Sequence, residues 1–525
     1  REIVAEIAPD LFVNCSHEAS SRLGEYERFT AATLNAFLGP ETTGYLNRLA
    51  DGLTQGGLEG RLLIMQASGG VAAEERASRL PTLTIGSGPS AGVAATLALA
   101  ERRGEGDVIA TDMGGTSFDV ALIAGGTPIG ARTTIVNQYE FFLPRTDIRS
   151  IGSGGGSIIW FDEASRTLKV GPASAGARPG PVCYGQGGTR PTLTDANLVL
   201  GYLNPQNFLG GAIVLDVDSA AAALASEGED LGMSAVEVAV AARRIVEATM
   251  AGLIRQMTVE RGMDPREFAL YAYGGAGGLH VADYLRELGC DRAVIPLGEL
   301  STTWSAYGCA TSDLLQVHER PMRLRSPLDA AALKAAFAEM EVEARRQLTE
   351  DGIPDDRQFI RRSVEMKYPL QIHQVEVDVE ESDFEPSAIA ALVSRFTARY
   401  EQLYGRGSSW EGAGVELVGC RLVARGTLPT PQARGGVETH GGEKAAVERS
   451  MVWATESGHE QLTAPVISAT SIPSGSPVDG PAVIEADTTT VVIPRDCSAT
   501  VTEAGDLILN LAKDRAELLV ASAAA

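Results

Sequence analysis

Apolar positions between residues 25 and 38, EYERFTAATLNAFL, recur at helical spacing and put Tyr26, Phe29, Thr33 and Phe37 near one face of a helix. RLLIMQA (61–67) is a short apolar run ending in Ser-Gly-Gly, which predicts a buried strand entering a loop. TLTIGSGPSAGVAATLALAERRG reads as strand, glycine turn and helix, and FALYAYGGAGGLHVADYLRELGC (268–290) repeats that order. Between them, DVIATDMG and SFDVALIAG predict two short strands joined across a glycine pair. A long helix begins at Ser234, with Glu237 three residues on as a capping-box partner, and stops before Pro265. RAVIPLG is a further strand, and TTWSAYGCATSDL is helical in pattern.

The pattern changes near residue 315. Residues 328–350 form an Ala/Glu-rich amphipathic helix, FIRRSVEMKY and IHQVEVDV alternate as half-exposed strands, and 386–405 is another helix. GGVETHGGEKA (435–445) is a linker, and short strands and turns follow from 447. The expected organisation is a core over 1–315, an α+β domain over 316–440 and a β-rich module over 441–525.

Composition narrows the class. The 525 residues are 44% hydrophobic, in runs broken throughout by Gly and Pro, as in a globular α/β protein. No run approaches the roughly 18 apolar residues of a membrane span, and the first residues lack a secretory pattern. With 44 Lys and Arg against 68 Asp and Glu, the formal net charge is −24, which disfavours nucleic-acid and membrane surfaces as partners. Six scattered cysteines without a C-x-x-C pair fit free thiols in a reducing cytoplasm.

Four glycine loops carry the candidate chemistry: GSGPSAG (86–92), DMGGTSFD (112–119), GSGGGS (152–157) and GGAGG (274–278). The first and last open helices, where unpaired N–H groups suit phosphate. None has the P-loop or dinucleotide spacing. In the 112–119 hairpin, Gly114 and Gly115 can turn amides to a phosphate, and Thr116 and Ser117 can donate from their hydroxyls. Asp112, at a strand end, is placed to hold Mg²⁺, and Asp119 lies on the face of Ser117, able to orient water or metal. GPSAG also fits G-x-S-x-G, which makes Ser90 a candidate nucleophile of a serine hydrolase. His280, in a glycine-rich entry to a helix, and His17, beside Glu18 in a polar loop, are candidate bases or ligands. Cys183, in GPVCYG, is a candidate thiol whose alternative is small apolar filler.

TDMGGTSFDV, SIGSGGGSI, GPVCYGQGGTRPTLTDANLVLGYL and YGGAGGLHVADYLRELG together resemble the hydantoinase/5-oxoprolinase family, specifically its A-type, ATP-binding subunit. GPAVIEADTTTVVIPRDCSATVTEAGDLIL resembles the family's closing β module. The resemblance implies an actin/sugar-kinase/Hsp70-like (ribonuclease H-like) core binding ATP and Mg²⁺. DMGGTSFD would be its second phosphate hairpin, Gly154 and Gly155 would belong to the phosphate-side loop, and Gly274, Gly275, Gly277 and Gly278 would sit near the nucleotide. Asp195, in TLTDAN, is a further candidate. The implied activity is phosphorylation of the carbonyl oxygen of a cyclic amide, with a B-type partner subunit completing hydrolysis. Sibling enzymes of the acetone and acetophenone carboxylase type activate ketones instead. The family's first phosphate hairpin, D-x-G-G-T, is expected from a segment preceding Arg1 or from a separate polypeptide; without it the chain would be a non-catalytic assembly subunit.

Overall fold

The computed structural model describes residues 1–296, 300–385, 387–429, 447–455 and 458–512. The linker expected at 435–445 lies outside the described residues. The chain forms two compact units, each assembled from separate stretches: unit 1 from Arg1–Ala94, Gly130–Thr146 and Gly308–Pro431, and unit 2 from Ala95–Ile129, Asp147–Tyr307 and Gln432–Ala525.

Unit 2 is built on a mixed sheet of nine strands among the described residues. Val108–Met113 lies at its centre, parallel to Ala269–Tyr273 and antiparallel to Phe118–Ala124. The central position explains the composition: five of the six residues of Val108–Met113 are buried, as are all five of Ala269–Tyr273. A strand covered on both faces reads as a continuous apolar run rather than an alternating one. Arg292–Pro296 extends the parallel part of the sheet.

The β-rich end of the chain is present, and it completes this sheet rather than standing apart. Asp506–Leu511 pairs antiparallel with Arg292–Pro296, and Cys497–Val501 pairs with Asp506–Leu511. Leu507 and Leu509 are fully buried in the same core as Ile109, Leu270 and Ile295. A second sheet, made of Val447–Thr455, Gly458–Ser468, Ala482–Glu485 and Thr490–Ile493, also belongs to unit 2. The helix Ala235–Val259 has the expected capping box, Ser234 with Glu237, and buries Val246, Met250, Ile254 and Met257 along one stripe.

Unit 1 carries a six-stranded sheet among the described residues, with Leu314–Arg325, Glu416–Gly426 and Gln358–Lys367 as adjacent antiparallel strands. Helix Ala330–Glu350 covers it through Leu333, Phe337 and Leu348. The predicted helix at 25–38 runs on to Gln55, but its aromatic face is not the packed one. Tyr26, Phe29 and Phe37 are exposed, while Ala31, Asn35, Gly39 and Leu46 are buried. Small residues win here because the contact is close: a Cβ on Gly39 would fall 2.4 Å from the Phe12 ring.

The strand expected over TLTI is a 3-10 turn, Pro81–Thr84. Pro81 sits at its start, and both the amide and the hydroxyl of Thr82 bond to Asn35 Oδ1, at 3.3 and 3.1 Å. Those tertiary bonds override the β-branched composition.

Candidate functional site

Three of the four glycine loops belong to unit 2, and there they meet. The strands Val108–Met113 and Phe118–Ala124 run antiparallel with Asp112 opposite Asp119, so Gly114–Ser117 form the tip between them. The 152–157 loop is laced to that tip: the Gly155 amide donates to Gly114 O at 3.0 Å and the Gly156 amide to Gly115 O at 2.6 Å. The 274–278 loop joins from the parallel strand, with the Ala276 amide on Met113 O at 3.0 Å.

Glycine is required where these backbones touch. A Cβ on Gly154 would lie 2.5 Å from the Thr116 nitrogen, and one on Gly274, which sits at φ +85°, would lie 2.4 Å from Met113 O and 2.5 Å from Asp112 Oδ1. Gly278 serves a different contact, since its Cβ would meet Thr490 O at 2.7 Å on the neighbouring sheet. Gly115, by contrast, has nothing within 4 Å of its Cβ position.

The loops therefore divide the work. The Gly154 amide donates to Ser157 Oγ (2.8 Å) and the Gly155 amide to Gly114, so these two hold the hairpin in place rather than offering donors. The amides of Gly115, Thr116 and Gly275 have no acceptor among the described residues, and all three residues are exposed. Convergent unpaired amides beside a helix N-terminus, here Gly277–Leu288, suit an anion such as a phosphate.

The electrostatics of the aspartate pair point the same way. Burial, followed by the charge of Asp119, pushes Asp112 up to about 6. Burial also raises Asp119, against the pull of the Ser150 and Ser117 hydroxyls, and its Oδ1 is enclosed with no hydrogen-bond partner. Two facing, half-buried carboxylates favour a cation or a shared proton. Among the described residues no cluster of three or more His, Cys, Asp or Glu could hold a metal unaided. Two carboxylates fit Mg²⁺, which takes one or two from the protein and its other ligands from water and phosphate.

Sequence reasoning missed several supports of this cluster. Ser150 lies opposite Asp119 on the adjoining strand Ile148–Ile151. Thr194 donates to Gly155 O from both its amide and its hydroxyl, at 2.8 Å each. Ser301 O receives the Gly274 amide at 2.8 Å. Thr194 lies in TLTDAN beside Asp195, so the motif carries a signal at this place but for a different residue.

The remaining candidates take other roles. Asp195 is fully buried and accepts from the Thr192 and Cys183 amides at 2.7 Å and the Thr192 hydroxyl at 2.8 Å, closing a capping box on helix Leu193–Val199. Cys183 is enclosed in an apolar cluster; burial, then the nearby Asp195, drives its thiol far above the ordinary range, which leaves it inert. His280 is an interior residue of a polar network rather than a ligand at a loop. Its Nδ1 lies 2.9 Å from Glu247 Oε1 and its Nε2 is 3.1 Å from Asn197 Nδ2. Burial, then the charge of Arg243, holds it well below its usual range and therefore neutral.

Ser90 and His17 belong to unit 1. Ser90 is buried inside helix Ser87–Arg103, where its hydroxyl donates to Ala67 O (2.8 Å) and Gly86 O (3.1 Å). A nucleophile elbow needs an exposed serine on a strand-to-helix turn next to a base, and GPSAG is instead the first turn of a helix. His17 is exposed in the short helix Ser16–Ala19.

Residues 28–318 match the hydantoinase/oxoprolinase family and residues 325–509 its C-terminal domain. The chain belongs to the hydantoinase/oxoprolinase family. It is 34% identical to caprolactamase subunit alpha of Pseudomonas jessenii, over 94% of this chain and 71% of that one. It is 30% identical to the acetophenone carboxylase gamma subunit of Aromatoleum aromaticum, over 94% of this chain and 69% of that one. The crystal structure of the ATP-dependent caprolactamase from Pseudomonas jessenii superposes with a TM-score of 0.86 at 32% identity, over 97% of this chain and 74% of that one, so the α/β fold is shared. Among the described residues, no helix is long and apolar enough to cross a membrane.

Proposed function

We propose that the chain is the nucleotide-binding subunit of an ATP-dependent enzyme that phosphorylates the carbonyl oxygen of a small cyclic amide and so prepares the ring for hydrolysis by a B-type partner subunit. The observation that carries this reading is the meeting of three glycine loops around the facing Asp112 and Asp119. The likeness to the caprolactamase alpha subunit supports the amide as substrate class and a second subunit as partner.

In this reading the amides of Gly115, Thr116 and Gly275 and the hydroxyls of Thr116 and Ser117 hold phosphate oxygens. Asp112 and Asp119 hold Mg²⁺, which would neutralise charge on the transferring phosphoryl group. Gly154 and Gly155 fix the hairpin tip so that its amides keep their direction. Phosphorylation at oxygen makes the amide carbon electrophilic: water adds there, the ring nitrogen takes a proton and leaves as the amine so that the C–N bond breaks, and hydrolysis of the acyl phosphate left behind releases carboxylate and phosphate.

The second reading, a ketone carboxylase subunit, rests on the likeness to the acetophenone carboxylase gamma subunit. Phosphate release from ATP by the complex of this chain with its partner separates the two. Stimulation by a lactam without bicarbonate supports the amide reading. Stimulation only by a ketone together with bicarbonate supports the carboxylase, and stimulation by neither class rejects both.

A further inference from the structure

A cavity of about 420 Å³ opens within unit 1, in the size range of small-molecule sites, and none of the glycine loops lines it. Its walls carry many charges, and the partners of those charges reveal an imbalance. Glu18 pairs with Arg79 and Arg1, Glu319 with Arg22 at 3.2 Å, Glu339 with Arg320, and Glu343 with Arg346 at 2.7 Å. Among the described residues Arg76 has no such partner. Its one hydrogen bond is a long contact from Nη1 to Gln347 Oε1, 3.5 Å, and its Nε–H is enclosed with no acceptor. Asp351, the carboxylate whose field reaches it, is paired with Arg61 at 3.2 Å. Arg76 lines the cavity, and a guanidinium there without a carboxylate partner suits an anionic ligand group.

His318 adds a defined acceptor. The Gln316 amide nitrogen donates to Asp351 Oδ2 at 3.2 Å, which turns Gln316 Oε1 toward His318 Nε2, also at 3.2 Å. Nε2 therefore carries the proton. Burial and the charge of Arg76 push His318 down to about 4, so at neutral pH its Nδ1 offers a lone pair. The rest of the wall includes the aliphatic surface of Leu80, Leu83 and Met340 and the carboxylates of Glu339 and Glu343.

We propose that this cavity binds a small ω-amino carboxylate, with Arg76 receiving the carboxylate, the aliphatic wall covering the methylene chain, and His318 together with the glutamate carboxylates facing the ammonium. Opening a cyclic amide with water breaks the C–N bond and leaves a carboxylate and an amine on one chain, so the ligand is the class of molecule that the proposed reaction releases. Its relevance as a product rests on the reading above; its binding does not.

The test is calorimetric titration of the complex with 6-aminohexanoate, hexanoate and hexylamine, without ATP. The amino acid is expected to bind most tightly, hexanoate more weakly and hexylamine least. Arg76→Met is expected to weaken 6-aminohexanoate about 10- to 100-fold, with Arg76→Lys in between. No saturable binding of 6-aminohexanoate, hexylamine binding as tightly as the amino acid, or an Arg76→Met protein that folds and binds unchanged would each overturn the assignment. Should Arg76→Met not fold, Leu83→Trp, which fills the cavity, must abolish the binding for the proposal to stand. Lactam-stimulated ATP turnover is measured separately: turnover without amino-acid binding sinks this proposal alone, and binding without turnover sinks only the reading above.

Discussion

Two polar clusters in unit 2 have opposite characters. One is Asp112 and Asp119 at the glycine hairpin; the other is His280 with Asn197, Arg243, Glu247 and Asp283 behind the GGAGG loop. In the second cluster charge meets charge. Arg243 is enclosed and reaches Glu247 at 2.7 Å, Asp283 at 3.0 Å and Asn197 Oδ1 at 2.6 Å. In the first, like charges face each other, an enclosed oxygen has no partner, and nearby amides are free. A satisfied network fixes helices in place, whereas an unsatisfied one at the surface awaits a ligand.

Substitutions can break this contrast. The largest effect is expected from Asp112→Asn, which should lower ATP turnover of the complex about 100-fold or more while the protein stays folded, as read by phosphate release and thermal melting. Its stability should change with pH in a defined direction. Asp112 titrates near 6 in the folded protein against an ordinary 3.8. Folding therefore takes up a proton between those values, and this residue's contribution to stability falls as pH climbs from about 4 to about 6. Asp112→Asn should flatten that fall and raise the melting temperature at pH 7.

Arg243→Met should do the reverse. It takes the guanidinium from the buried Glu247 and Asn197, while Asp283 keeps Arg286 at 2.8 Å, and should cost about 3–5 kcal/mol in denaturant unfolding, with turnover per folded molecule nearly unchanged. Gly274→Ala and Gly115→Ala sharpen the comparison within one site. The first forces a Cβ onto Met113 O at positive φ and should cost about 1–3 kcal/mol. The second meets open space and should leave stability unchanged while raising the KM for ATP. Ser90→Ala should cost about 1 kcal/mol from lost hydrogen bonds to Ala67 and Gly86 and leave turnover as it was. Wild-type protein should resist a fluorophosphonate, since the Ser90 hydroxyl is buried and donates to two backbone carbonyls.

Particular residues show how far the chain's own pattern reaches. Apolar runs bounded by glycine placed the strands 108–113, 118–124 and 269–273, but not the register that sets Asp112 opposite Asp119: a turn of the glycine pair alone would face Asp112 with Ser117, whereas the tip takes the four residues Gly114–Ser117. Ser234 and Glu237 announced their helix. Periodicity found the helix at Tyr26 but not which face would be covered, because that depends on Phe12 and Asn35 meeting partners distant in sequence. The same limit misplaced His280 and Ser90. Nothing local reveals that Glu247, 33 residues away, sits against one ring nitrogen, or that the Ala67 carbonyl holds the serine hydroxyl. The convergence of three glycine loops is likewise a property of the sheet order, which brings residues 113, 155 and 276 together.

That convergence is tested most directly by hydrogen exchange on the complex, with and without Mg²⁺ and a non-hydrolysable ATP analogue. Peptides covering 113–118, 152–157 and 274–278 should gain protection together, while those covering 243–247 stay as they were. Nucleotide binding that leaves all three loops exchanging as before would contradict the account.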